Sequence, residues 1–194
     1  MRKFIVGFVA AIVVVFVAGF CYVRLGFFDP RADIAVGSIE SKIAMPSLDA
    51  AIDRRAPQGR NPVQPSEANL TAGIKVYQAN CASCHGDVGH PHGALAEALY
   101  PRAPQFVEDA PDMPENQNYY IIAHGIRLSG MPAWKQVLSE QEMWQVATLL
   151  GHMDKLPPQV SDAWKAMAGG SQNAAAVRQE SKIEPKDEKE MRMH

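Results

Sequence analysis

Cysteine is scarce. Three residues in 194, Cys21, Cys81 and Cys84, cannot build the disulfide framework of a small secreted scaffold. Basic residues nowhere gather into a block. The 19 Lys and Arg against 21 Asp and Glu leave a net charge of −2, so nucleic-acid binding has no electrostatic footprint. No internal repeat is visible. No stretch alternates apolar and polar residues well enough to read as a strand. What is present is ordinary for a globular chain, 47% apolar and 21% charged, which excludes a wholly disordered or collagen-like polymer. The length fits one domain with attachments.

The first attachment is an uncharged run from Phe4 to Val23, preceded by Arg2 and Lys3. As a helix it is about 30 Å long, the thickness of a bilayer's hydrocarbon core. Its rivals are a cleaved signal peptide and a lipidated Cys21. Bulky Phe20 stands before Cys21 where processing wants a small residue, so an uncleaved anchor over 1–23 is the preferred reading. Arg2 and Lys3 then stay on the cytoplasmic side and the rest of the chain is exported, although Arg24 weakens the asymmetry.

Residues 24–65 read as a flexible tether, with Pro30, Pro46, Pro57, Pro62 and Pro65 and a short helix over Ser38–Ile52. A compact domain is expected over 66–156. Its first helix runs from Ser66 or Asn69 towards Asn80, with Leu70, Ile74 and Tyr77 on one stripe. A middle helix runs from Pro114 to His124 and stops at Gly125. The last opens on Ser139-Glu140-Gln141-Glu142, a capping-box pattern, with Met143, Val146, Ala147 and Leu150 on its apolar face. Residues 157–194 read as a charged, largely disordered tail. Trp164 lies in one short helical segment, and the densest charge falls between Lys182 and His194.

The chemistry is carried by Cys81-Ala82-Ser83-Cys84-His85, a C-x-x-C-H sequence, the attachment signature of c-type haem. Two thiols reach the two vinyl groups of one porphyrin, and the histidine after the second stands beneath the iron. Two rival chemistries fit the pattern less well. A zinc site from Cys81, Cys84, His90 and His92 would place its second ligand pair unusually close to the first. A thioredoxin-type redox pair wants a βαβ setting, and this region reads helix then loop. A low-spin electron carrier also needs a soft sixth ligand. Gly130-Met131-Pro132 supplies a thioether on a chain that Gly130 lets turn tightly and proline holds extended. Met113 is the alternative. Met143 and Met153 read as core or surface, His124 as a helix-end residue, and His90 and His92 as loop residues.

On these motifs, residues 66–156 resemble a monohaem class I cytochrome c domain. The features that carry the resemblance are Cys81-x-x-Cys84-His85-Gly86, the segment His124-Gly125-Ile126 leading to Gly130-Met131-Pro132, and helices at both ends. The resemblance implies an all-α fold, a small helical bundle around one covalent haem c, here with an N-terminal transmembrane helix. It implies that the first and last helices cross, with Gly73 and Tyr77 facing Trp144 or Ala147 and Thr148. It also implies that a carbonyl at Pro101 or Pro104 accepts the proximal imidazole N–H. The Gly89-His90-Pro91-His92-Gly93 loop departs from the usual pattern.

The implied function is a membrane-tethered electron carrier of the bacterial inner membrane, its haem domain periplasmic and its axial ligands His85 and Met131. Its partners would be the membrane and redox proteins of a respiratory chain, with no nucleic acid and no small-molecule substrate, so the chain is no enzyme by itself. The alternative is a fixed electron-transfer subunit of a dehydrogenase or terminal oxidase. A haem sensor or peroxidase needs an open sixth position, against which Met131 argues. Residues 66–156 hold ten acidic and five basic side chains, a balance of −5 that disfavours a lysine-ring docking surface.

Overall fold

The structure is a computed structural model, and it describes residues 1–27, 30–34 and 37–168; the charged stretch Lys182–His194 lies outside these. The chain divides into two compact units, residues 1–34 and the chain from residue 35. The first is essentially helix α1, Arg2–Arg24, with no buried residue. It is long and apolar enough to cross a membrane.

The second unit is helical, and among its described residues none lies in a strand. Helices α2 (Ser38–Arg55), α3 (Glu67–Asn80), α4 (Ala82–His85), α5 (Glu115–His124) and α6 (Glu140–Leu150) are followed by α7 over residues 158–168. Short 3-10 turns occupy Ala96–Ala98, Trp134–Gln136 and Met153–Lys155. The fold is all-α, as the sequence implied.

The helix starts obey local chemistry. Ser66 caps α3, its hydroxyl accepting from the Asn69 N–H at 3.3 Å. At α6 both halves of the capping box form. The Ser139 hydroxyl accepts from the Glu142 N–H at 3.3 Å, and the Glu142 carboxylate accepts from the Ser139 N–H at 2.8 Å. Helix α5 ends on Gly125, whose φ of +65° suits glycine.

The core forms where α3 and α6 cross. Leu70, Ile74 and Tyr77 of α3 are buried, as is every residue of α6 from Met143 to Leu150. The helices approach so closely at Gly73 that a β-carbon there would run into the Gln145 carbonyl, with Leu149 Cβ at 3.3 Å. Gly73 therefore meets Gln145 and Leu149, beside rather than on the residues the resemblance proposed. Helix α5 packs on the other side of α6, where Tyr119 stacks on Trp144 at 4.0 Å.

Two segments are more ordered than their composition suggested. Helix α2 continues past Ile52 to Arg55, with Pro46 inside it, and Ile52 and Ala56 are buried. Polar bonds hold the end of α2 and the chain after it. Gln117 donates to Asp53 Oδ1 at 2.7 Å, Asn116 to the Pro57 carbonyl at 2.9 Å, and Asn61 to both Glu115 and Thr148 at 2.7 Å. Residues 38–65 thus contain a packed helix and strap where a tether was expected. Helix α7 likewise contributes Val160 and Trp164 to the main core cluster. This part of the expected tail is docked.

Candidate functional site

The C-x-x-C-H residues fall on one helical turn. Cys81 is both the C-cap of α3 and the N-cap of α4, and its carbonyl accepts from the N–H groups of Cys84 at 3.0 Å and His85 at 2.9 Å. Spacings of three and four residues on a helix put Cys81, Cys84 and His85 on one face. Both thiols are free and half-buried. Burial pushes the Cys81 thiol up to about 12, with Cys84 adding to the shift, so Cys81 is a protonated thiol at neutral pH.

The turn after His85 is tight. Gly86 has φ of +75°, and a β-carbon there would collide with the Pro91 carbonyl. This is a position for glycine alone.

The His85 ring is held on two sides. Its Nδ1–H donates to the Pro104 carbonyl at 2.9 Å, which settles the choice between Pro101 and Pro104. Its plane lies 5° from that of Phe106, with ring centres 4.3 Å apart. Burial lowers the His85 pKa, and the bond to Pro104 partly offsets this. The ring is therefore neutral near pH 7, with Nε2 as its remaining lone-pair donor.

Gln105 is a further residue of the site that carries no sequence motif. Its amide donates to the Cys84 carbonyl at 3.1 Å and the Ala103 carbonyl at 2.6 Å, while its oxygen accepts from the Gly93 N–H at 2.7 Å. It clips the 103–106 segment to the attachment turn. Neither Gln105 nor Phe106 belongs to a local motif, and only the position next to Pro104 hinted at them.

Met131 closes a compact loop. The Ile126 N–H donates to the Met131 carbonyl at 3.1 Å, and the Met131 N–H donates to the Ser129 hydroxyl at 3.1 Å. The left-handed positions are Gly125 and Leu128, not Gly130, which lies instead against the Leu99 side chain. Met131 is half-buried. Met113 precedes α5, and its carbonyl accepts from the Asn118 amide at 3.1 Å. His124 is exposed at the end of α5, with Lys135 Nζ 3.4 Å from its Nδ1. Met143 is core. His92 faces Glu108 at 3.2 Å, and His90 lies 3.7 Å from Asp87. Among the described residues no group of three metal-binding side chains assembles, so the zinc alternative has no site there.

Residues 68–150 match the family described as cytochrome c oxidase, cbb3-type, subunit III. Over these residues the chain is similar to a cytochrome c domain. A solved structure similar to the chain is the Kuenenia stuttgartiensis reducing HAO-like protein complex Kustc0457/Kustc0458. It shares 22% identity at a TM-score of 0.40, covering 59% of this chain and 60% of that one. The chain thus spans less than two thirds of the length of that neighbour. A comparison with curated proteins finds no match.

A cytochrome c domain implies haem c, and the donors fit that group. Two free thiols share a helix face with a neutral imidazole that is oriented through Nδ1, so that Nε2 carries its lone pair. The matched segment begins at residue 68 and ends at 150, so α2, α7 and the whole strap over 56–65 lie outside it.

Proposed function

We propose that the protein is a membrane-tethered carrier of single electrons, with one haem c bound by its cytochrome c domain. In this reading Cys81 and Cys84 hold the haem through thioethers, and His85 Nε2 and the Met131 thioether are the axial ligands. Bound haem supplies the one-electron redox step. The chain's residues supply orientation and burial. Pro104 and Phe106 fix the imidazole, and the bonds within Ile126–Met131 hold the methionine backbone. The observation that carries the proposal is the His85 ring, pinned through Nδ1 on the same helical turn as two free thiols. Histidine–methionine ligation favours a raised potential.

The apolar helix α1 supports anchoring, and Arg2 and Lys3 support an orientation with the haem domain on the periplasmic side of a bacterial inner membrane. With α2 packed on the domain, residues 25–37 are what remains between anchor and packed chain. They reach at most about 45 Å when fully extended. That favours partners in the same membrane. The domain's acidic balance favours basic or apolar docking surfaces on those partners.

A second reading makes the chain a fixed subunit of a respiratory oxidoreductase. The oxidase-subunit description of the matched family favours it. Purification in mild detergent separates the two, as a free cytochrome or within a stable complex.

The test of ligation is Met131→Ala in the matured protein. The weak far-red charge-transfer band of methionine-to-iron coordination should vanish and the potential should fall, with the haem still attached. Met113→Ala and His124→Ala should keep the band. If Met131→Ala keeps it and Met113→Ala loses it, the distal assignment is wrong.

A further inference from the structure

Helix α7 lies beyond the matched cytochrome c segment, yet it is wired to the turn that follows His85. Trp164 is 2% exposed and meets Tyr77 edge-on, with ring centres 5.8 Å apart. A buried indole N–H needs an acceptor. With the Gln78 amide oriented to satisfy both of its neighbours, its oxygen accepts the indole N–H at 2.8 Å and its nitrogen donates to Asp87 Oδ2 at 3.0 Å. Asp87 is 6% exposed. Its other oxygen accepts from the N–H groups of Gly89 and His90, both at 2.7 Å. The Asp87 N–H donates to the His90 carbonyl at 2.7 Å, and the Tyr77 hydroxyl donates to the Gly86 carbonyl at 2.8 Å.

A carboxylate whose only task was to cap a surface turn would remain in water. Here it is buried, and its second oxygen is committed to a side chain that is itself held by α7. Burying such a group is favourable only when its acceptor sites are filled. The chain Trp164–Gln78–Asp87 therefore couples α7 to residues 86–90, and residue 86 follows His85 directly.

We propose that Trp164 is a positioning residue for His85, acting through Gln78 and Asp87 to set the turn Gly86–His90 and with it the tilt of the imidazole. This rests on the reading of His85 as the axial ligand. Only the Trp164 end of the relay lies in the extension beyond the matched segment, and Gln78 and Asp87 lie within it. The relay gives residues 158–168 a part in tuning the haem site.

The experiment uses the full-length matured protein in detergent, in the ferric state, with isotope-labelled histidine. Trp164→Phe keeps a ring and removes the N–H. Gln78→Met removes both polar contacts at nearly constant shape. Each should displace the hyperfine-shifted His85 ring resonances and move the midpoint potential. The double variant should show no shift beyond the larger single one, because both act on one relay. Val160→Ala, also in α7 and buried, should lower the melting temperature and leave the His85 resonances in place. The proposal is overturned if Trp164→Phe and Gln78→Met lower the melting temperature but leave resonances and potential at parent values. Should Trp164→Phe fail to mature, Gln78→Met decides alone by the same criterion. Absence of hyperfine-shifted His85 resonances in the parent protein would overturn the ligation reading and this proposal together. Parent shifts that no relay variant moves would overturn this proposal alone.

Discussion

Replacing Gly73 by alanine should destabilise the domain, although alanine is the better helix former. The added β-carbon would overlap the Gln145 carbonyl oxygen and lie 3.0 Å from its carbon and 3.3 Å from Leu149 Cβ. The first two atoms are backbone of α6 and cannot swing aside, so α3 and α6 must separate along the seam that buries Ile74, Ala147 and Leu149. Overpacking costs about 1–3 kcal/mol, and a clash with fixed backbone atoms falls in the upper part of that range, about 2–3 kcal/mol. The gain in helix propensity offsets about 1 kcal/mol. The net loss is roughly 1–2 kcal/mol, which in a domain of this size lowers the melting temperature by roughly 5–15 °C. Urea and thermal unfolding of the matured protein, followed by circular dichroism, measure it. Gly59→Ala is the control. Nothing lies within 4 Å of a β-carbon there, and its effect should stay within about 0.5 kcal/mol. A Gly73→Ala protein as stable as the parent would refute the close crossing.

Two further substitutions test the periphery. Ser139→Ala should cost about 1 kcal/mol through the lost helix cap. Ser139 also holds the Glu142 carboxyl below the usual range, through its hydroxyl and its backbone N–H. A depressed carboxylate stabilises fully above its unfolded value, about 4.3, and that contribution fades as pH falls through the folded value. The stability gap between parent and Ser139→Ala should therefore narrow in acid, and urea titrations showing an equal gap at neutral pH and below about pH 4 would count against the pairing. Asn61→Ala removes three bonds, two at 2.7 Å to the Glu115 carboxylate and the Thr148 hydroxyl and one at 2.8 Å from the Val63 N–H. It should cost about 1.5–3 kcal/mol and speed tryptic cleavage at Arg54, Arg55 and Arg60, and unchanged cleavage would mean that the strap is held elsewhere.

What could be read from the sequence was local. The capping box at Ser139–Glu142, the stop at Gly125 and the stripe Leu70, Ile74, Tyr77 each depend on residues within two turns of one another, and each appears as expected. The candidate cysteines and His85 share a motif whose spacing alone places them on one helical face. The remainder depends on partners far apart in the chain. Helix α2 has no clean apolar stripe and is held in part by Asp53 on Gln117, which no periodicity reveals. Trp164 looks like an isolated aromatic in a polar tail until Gln78 and Tyr77 meet it. Pro101 and Pro104 were equivalent candidates, because the choice is made by how the 103–106 segment is clipped by Gln105 to Cys84 and Gly93. Gly130 suggested a tight turn, but its role is to make room for Leu99, a contact invisible before folding.

The central claim is that Cys81 and Cys84 hold a single haem c with His85 beneath it. Its most direct measurement is the intact mass and pyridine haemochrome spectrum of the protein expressed with haem-attachment machinery, followed by peptide mapping. The account predicts one haem retained under denaturing conditions, a haemochrome with both vinyl groups saturated, and the added mass on the peptide that spans Cys81 to His85. A chain of apoprotein mass from cells that mature a control cytochrome, or a haem extracted by acidified solvent, would contradict it.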